Sequence, residues 1–114
     1  MIWQPLTQDV NPFDVMVSMA VRDCITQNPN GLRENAPWRS FTYDGAELRL
    51  CLRTAPQQSI THNGRAALVY VVAGEGVSGQ MGYRCEGRAI LDLKTRAFLD
   101  VDCQLIQMGH VQPA

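Results

Sequence analysis

Gly74 to Gly79 read G-E-G-V-S-G, the spacing G-x-G-x-x-G, directly after the strand-like run Ala66–Ala73. Between a strand and a helix, that spacing binds a dinucleotide. The glycines let the backbone approach the pyrophosphate, and the helix N-terminus faces it. Here the next residues, "QMGYRCEGRAILDL", alternate in period two and carry Gly82 and Gly87, so they read as a strand. No dinucleotide site and no cofactor are expected. What remains is a glycine-rich loop between antiparallel strands, mobile because glycine accepts positive φ. Gly74, Gly76 and Gly79 are then candidate contact or anion-binding positions. Glu75 inside the loop opposes an anion.

Two other groups of residues could do chemistry. Cys51 lies between Arg49 and Arg53 on one face of a strand, where two guanidinium groups favour the thiolate. His62 is the candidate base for it. His62 with Asp100 and Asp102 forms the second group, able to exchange protons with a small substrate. The plainer reading of "DVD" at 100–102 is a solvated charge row facing Arg84 and Arg88 across the strands. Those two arginines are also candidate binding residues. His110 falls in a tail, "GHVQPA", expected to fray. The four cysteines form no C-x-x-C pair and neither histidine has ligand spacing to them, so no metal site is expected.

The elements that must position these residues follow from patterning. Asn11 is a natural helix N-cap, with Pro12 at the first helical position and Asp14 in the first turn. Val10 and Val15 fit a hydrophobic staple. Phe13, Met16, Val17, Ala20, Val21 and Cys24 make one apolar face, and Pro29 stops the helix.

The rest reads as hairpins. Asp44-Gly45 and Asn63-Gly64 have the chemistry of type I′ turns. A loop at Lys94, Thr95 and Arg96 aligns Leu91 with Leu99, Ala89 with Val101 and Arg88 with Asp102. It also sets Cys85 opposite Leu105 and Cys103 opposite Gly87, both thiols facing the core. "RENAPW" and "TAPQQ" read as loops. Trp3 and Trp38 are expected to bury against helix and sheet. Ala66–Ala73 is apolar on both faces, so it should be central and covered on both sides.

Residues 1–114 thus read as a single α+β domain: one N-terminal helix packed on a curved antiparallel meander sheet of about five to six strands. This layout resembles those of cystatin-like, NTF2-like and hotdog folds, which often place a pocket between helix and sheet. No family motif accompanies the resemblance.

The net charge of −1, with nine of ten basic residues arginine and scattered, leaves no footprint for nucleic acid. No apolar run is long enough for a bilayer. The first residues lack a basic segment followed by an apolar one, so no signal peptide is expected. Free thiols in the cytoplasm are favoured over disulfides, with a periplasmic or secreted protein the alternative if a signal has been removed.

The functional expectation is a small non-catalytic binding domain, homodimeric, taking a protein partner or a small apolar ligand at the helix/sheet pocket or the sheet face. The alternatives are a compact enzyme using His62, Asp100 or Asp102 in such a pocket, and an inhibitor or immunity-type protein contacting its target through the glycine loop.

Overall fold

The computed structural model describes residues 11–110 as one helix and five strands. Helix α1 spans Pro12–Gln27 and starts where the Asn11 side chain accepts the Phe13 N–H at 2.9 Å. It ends at Asn28, whose backbone N–H and side-chain amide both donate to the Cys24 carbonyl. Pro29 follows and cannot prolong it. Val10 and Trp3 lie outside the described residues. The buried face of α1 is Met16, Val17, Ala20, Val21, Cys24 and Ile25.

Strands β1 (Arg39–Tyr43), β2 (Ala46–His62), β3 (Arg65–Ser78), β4 (Met81–Asp92) and β5 (Phe98–His110) form one sheet in sequence order, every neighbouring pair antiparallel. The first two turns are Asp44-Gly45 and Asn63-Gly64, all four residues at positive φ, as type I′ requires. Ala89 pairs with Val101, Arg88 with Asp102, Cys85 with Leu105 and Gly87 with Cys103. Leu91 pairs with Phe98 instead of Leu99, because a bulge takes up one residue there.

Three segments depart from expectation. "TAPQQ" is no loop: β2 runs through it, with a bulge between Pro56 and Gln58. Pro56 falls beyond the part of that edge covered by β1 and by the Leu32–Thr54 bridge, and proline is tolerated at bulges and open edges. The glycine run is no loop either. Gly74 to Ser78 belong to β3, and only Gly79 and Gln80 turn the chain between paired Ser78 and Met81. His110 does not fray; it pairs with Met81 at the end of β5.

Gly74 is needed for space. A Cβ there would fall on the Cys51 carbonyl oxygen and lie 2.9 Å from the Leu52 Cα. Gly87 meets the β5 backbone at Asp102 in the same way. Side-chain-free positions on β3 and β4 let the sheet coil tightly. The coiled sheet brings α1 against β1 and β2 on one side and β5 on the other.

Between helix and sheet lie Tyr70, Val72, Cys85, Ala89 and Leu91. Tyr70 is 1% exposed and its hydroxyl donates to the Pro29 carbonyl at 2.6 Å, tying the sheet to the end of α1. Tyr70→Ala should cost about 3–5 kcal/mol in a urea titration, by the cavity it opens. Tyr70→Phe, which removes only the hydrogen bond, should cost about 1 kcal/mol.

The β4–β5 turn is organised by Asp92, a buried carboxylate. One oxygen accepts the N–H groups of Lys94 (2.8 Å) and Thr95 (3.2 Å), and the other meets Arg65 at 3.2 Å. These bonds, that of Lys94 foremost, hold its pKa below the ordinary carboxylate value. A depressed carboxyl stabilises the fold above its unfolded pKa and loses that contribution as pH falls through the folded value. Wild type should therefore exceed Asp92→Asn in stability most at neutral pH. The gap should narrow below about pH 4 in a series of urea midpoints.

The molecule is 19 Å thick along its shortest axis, one helix layer on one sheet layer. No element of the described chain packs on the outer face of the sheet, and Val71 of central β3 is 37% exposed there.

Candidate binding site

A cavity of about 360 Å³ opens between the C-terminal half of α1, the irregular segment 28–38, and strands β1 and β2. Ala20 and Cys24 line it from the helix; Leu32, Ala36 and Pro37 from the segment; Phe41, Leu50 and Leu52 from the sheet. Gln27, Asn28 and Arg39 supply its polar atoms. Small residues on the helix face leave the room. The segment is held off the helix by bonds to β2: Leu32 and Thr54 exchange two (2.7 and 3.0 Å), and Ala36 N–H reaches Leu52 O at 2.8 Å.

Two of these polar groups are already engaged. Arg39 pairs with Asp23 at 3.2 Å, both half-exposed, and its guanidinium lies 5.4 Å over the Phe41 ring. The Asn28 amide is spent on the Cys24 carbonyl. Burial pushes the Cys24 thiol above its ordinary pKa; Thr54, Asn28 and Arg39 pull the other way and do not outweigh it. Thr54 Oγ1 is buried beside that thiol without a bond of hydrogen-bonding geometry. Among the described residues no carboxylate or imidazole lines this cavity. Its walls can hold an apolar body.

The residues singled out from sequence are not brought together. His62 ends β2 opposite Arg65, and Asp100 lies three strands away, roughly 20 Å by strand spacing and rise. Asp100 and Asp102 are exposed on the outer face with Arg88. Arg88 stands directly opposite Asp102 but makes no ion pair with either aspartate. Arg84 pairs with Glu86 on its own strand at 3.3 Å. Gly74 and Gly76 are buried in β3, and Gly79 is in a two-residue turn.

Cys51 is 3% exposed, and burial raises its pKa; Arg53 favours the thiolate but does not outweigh burial. Arg49 is drawn instead over the Trp38 ring at 5.7 Å. Trp38, expected to be buried, is 42% exposed. All four cysteines are free thiols. Among the described residues no His, Cys, Asp and Glu cluster could hold a metal ion, and no helix is long and apolar enough to cross a membrane.

Sequence reasoning missed the residues of the cavity because "RENAPW" passes for an ordinary loop. The available signal was faint: Leu32, Ala36 and Pro37 are apolar in a polar segment, and Ala20 and Cys24 are the small residues of the helix face.

The fold and site thus define an α+β meander domain with one helix and an apolar helix/sheet cavity. No family model, curated protein or solved structure matches the chain.

Proposed function

We propose that this chain is a small non-catalytic binding domain that holds a small, uncharged, largely apolar ligand in the cavity under α1. The observation that carries this reading is the composition of the cavity wall: eight apolar or thiol side chains around about 360 Å³, with the nearby charges already paired. That volume falls in the range of small-molecule sites. The C-terminal carbonyls of α1 and the Asp23 carboxylate make the neighbourhood unfavourable for an anion. An uncharged ligand with a hydrogen-bond donor suits it better.

N-phenyl-1-naphthylamine, a neutral fluorescent probe, tests this. It should bind one per chain with Kd of about 200 µM or tighter, given ~0.3 kcal/mol per non-hydrogen atom. Ala36→Trp, which fills the mouth, should weaken binding at least about tenfold without unfolding the protein. A probe that does not bind, or binds the variant equally, removes the reading. The enzyme alternative has less support, since His62, Asp100 and Asp102 neither converge nor reach the cavity.

A second observation supports homodimerisation: the outer face of β3 carries exposed Val71 and half-buried Ala73 beneath no covering layer. A second copy removes that surface from water. Free thiols at all four cysteines support a reducing, cytoplasmic setting.

A further inference from the structure

We propose that the cavity under α1 takes a small neutral alcohol or phenol, whose hydroxyl donates to Asn28 Oδ1. The inference rests on the binding-domain reading and adds the ligand class and the residue that selects it.

Asn28 is half-buried, lines the cavity and has one unused acceptor. Its backbone N–H and its side-chain Nδ2 both donate to the Cys24 carbonyl at 2.9 Å. Its own carbonyl accepts the Gly31 N–H at 2.9 Å. Oδ1 accepts from no donor among the described residues. The amide cannot be turned over to use it elsewhere. That would set Oδ1 against the Cys24 carbonyl, acceptor against acceptor.

The surroundings call for a donor without a charge. The last carbonyls of a helix lack donors within the helix, and the one at Ile25 finds none four residues on, because Pro29 has no N–H. Those carbonyls and the Asp23 carboxylate oppose an anion, and Arg39 in the cavity wall opposes a cation. Gln27, the other amide of the wall, is exposed to water. A hydroxyl on an apolar body meets all of these conditions. The body lies against Leu32, Phe41, Leu50 and Leu52, and one polar contact fixes its orientation.

Displacement of bound N-phenyl-1-naphthylamine tests this with two isomers, 4-ethylphenol and 4-methylanisole. They share one formula, but only the phenol has a hydroxyl to donate. On wild type the phenol should displace the probe at about fivefold lower concentration or less. In Asn28→Ala, which keeps the backbone N–H on Cys24, that order should vanish or reverse. The hydroxyl is then taken from water with no acceptor to receive it. Gln27→Ala should keep the wild-type order. A purely structural role for Asn28 would weaken both isomers alike and leave their ratio unchanged. Circular dichroism confirms that each variant is folded, and the wild-type ratio decides without any variant. A probe that does not bind removes the binding-domain reading and this inference with it. A bound probe that both isomers displace equally from wild type overturns the inference alone. A preference that survives Asn28→Ala, or is lost in Gln27→Ala, overturns the assignment to Asn28.

Discussion

Gly74→Ala will destabilise the protein by about 1–3 kcal/mol, and Gly74→Val by more, read as a shift in the urea midpoint. Strand propensity alone gives the opposite sign, since valine and alanine both lose less backbone entropy than glycine. The reason is where an added Cβ would go. It would meet the Cys51 carbonyl and the Leu52 Cα, which are backbone atoms of the neighbouring strand and cannot swing aside. Relief requires β2 and β3 to part in the middle of their ladder, where Gly74 pairs with Leu52. Gly64→Asn is the matched control. Gly64 has positive φ but open space around it, and asparagine tolerates that conformation. The control should change stability by less than about 1 kcal/mol. A Gly74→Ala protein as stable as wild type would show that the sheet relaxes there at little cost.

Alkaline conditions should weaken the fold steeply. Burial pushes the Cys85 thiol up to about 11, with Glu86 adding to it. The Cys103 thiol goes up to about 12, again chiefly by burial, with Cys85, Asp102 and Asp100 opposing a second negative charge. In the unfolded chain both ionise near 9. A raised thiol contributes stability fully below the unfolded pKa and loses it as pH rises toward the folded value. Between about pH 9 and 11 the pair should forfeit on the order of 3 kcal/mol, at ~1.4 kcal/mol per pKa unit. Urea midpoints at pH 8, 9.5 and 10.5 measure this. Cys85→Ala/Cys103→Ala should be less stable at pH 8 but lose less on going to pH 10.5. Cys24, Cys51 and Tyr70 are also raised by burial and keep some slope in that variant. A wild type with flat stability to pH 10.5 would mean the two thiols are reached by water.

The parts of this molecule that could be read from sequence are those set by local chemistry. Asn11-Pro12 placed the helix start because the capping atom and the capped N–H are two residues apart. Asp44-Gly45 and Asn63-Gly64 placed two hairpins because positive φ at paired turn residues is a property of those residues themselves. Alternation then carried the register of β4 against β5, down to Arg88 opposite Asp102, until one bulged residue displaced Leu99. The failures are non-local. Glycine at 74 serves to let a neighbouring strand pass, a use that looks the same in sequence as freedom in a loop. Pro56 and its neighbours lie in a strand because that stretch borders a bulge and an uncovered edge, neither visible in the residues themselves. The cavity depends on Ala36 being bonded to Leu52, across a separation that no pattern in "RENAPW" announces. Trp38 was expected inside by its size; the Arg49 guanidinium over its ring gives it a partner at the surface.

The contact between α1 and β5 has a consequence for how the chain reaches this state. Each strand pairs only with its sequence neighbours, so the sheet can grow hairpin by hairpin, with short loops to close and little entropy spent on each. The helix is different: it precedes the five strands in the chain, but one of its resting places is the last strand of the meander. During synthesis its apolar face can meet β1 and β2 early. It must then wait for β5 before its far side, at Val17, is covered. That interval leaves an amphipathic helix half docked and a growing sheet with an open edge, the stage at which a chaperone or a second nascent chain has the most surface to seize.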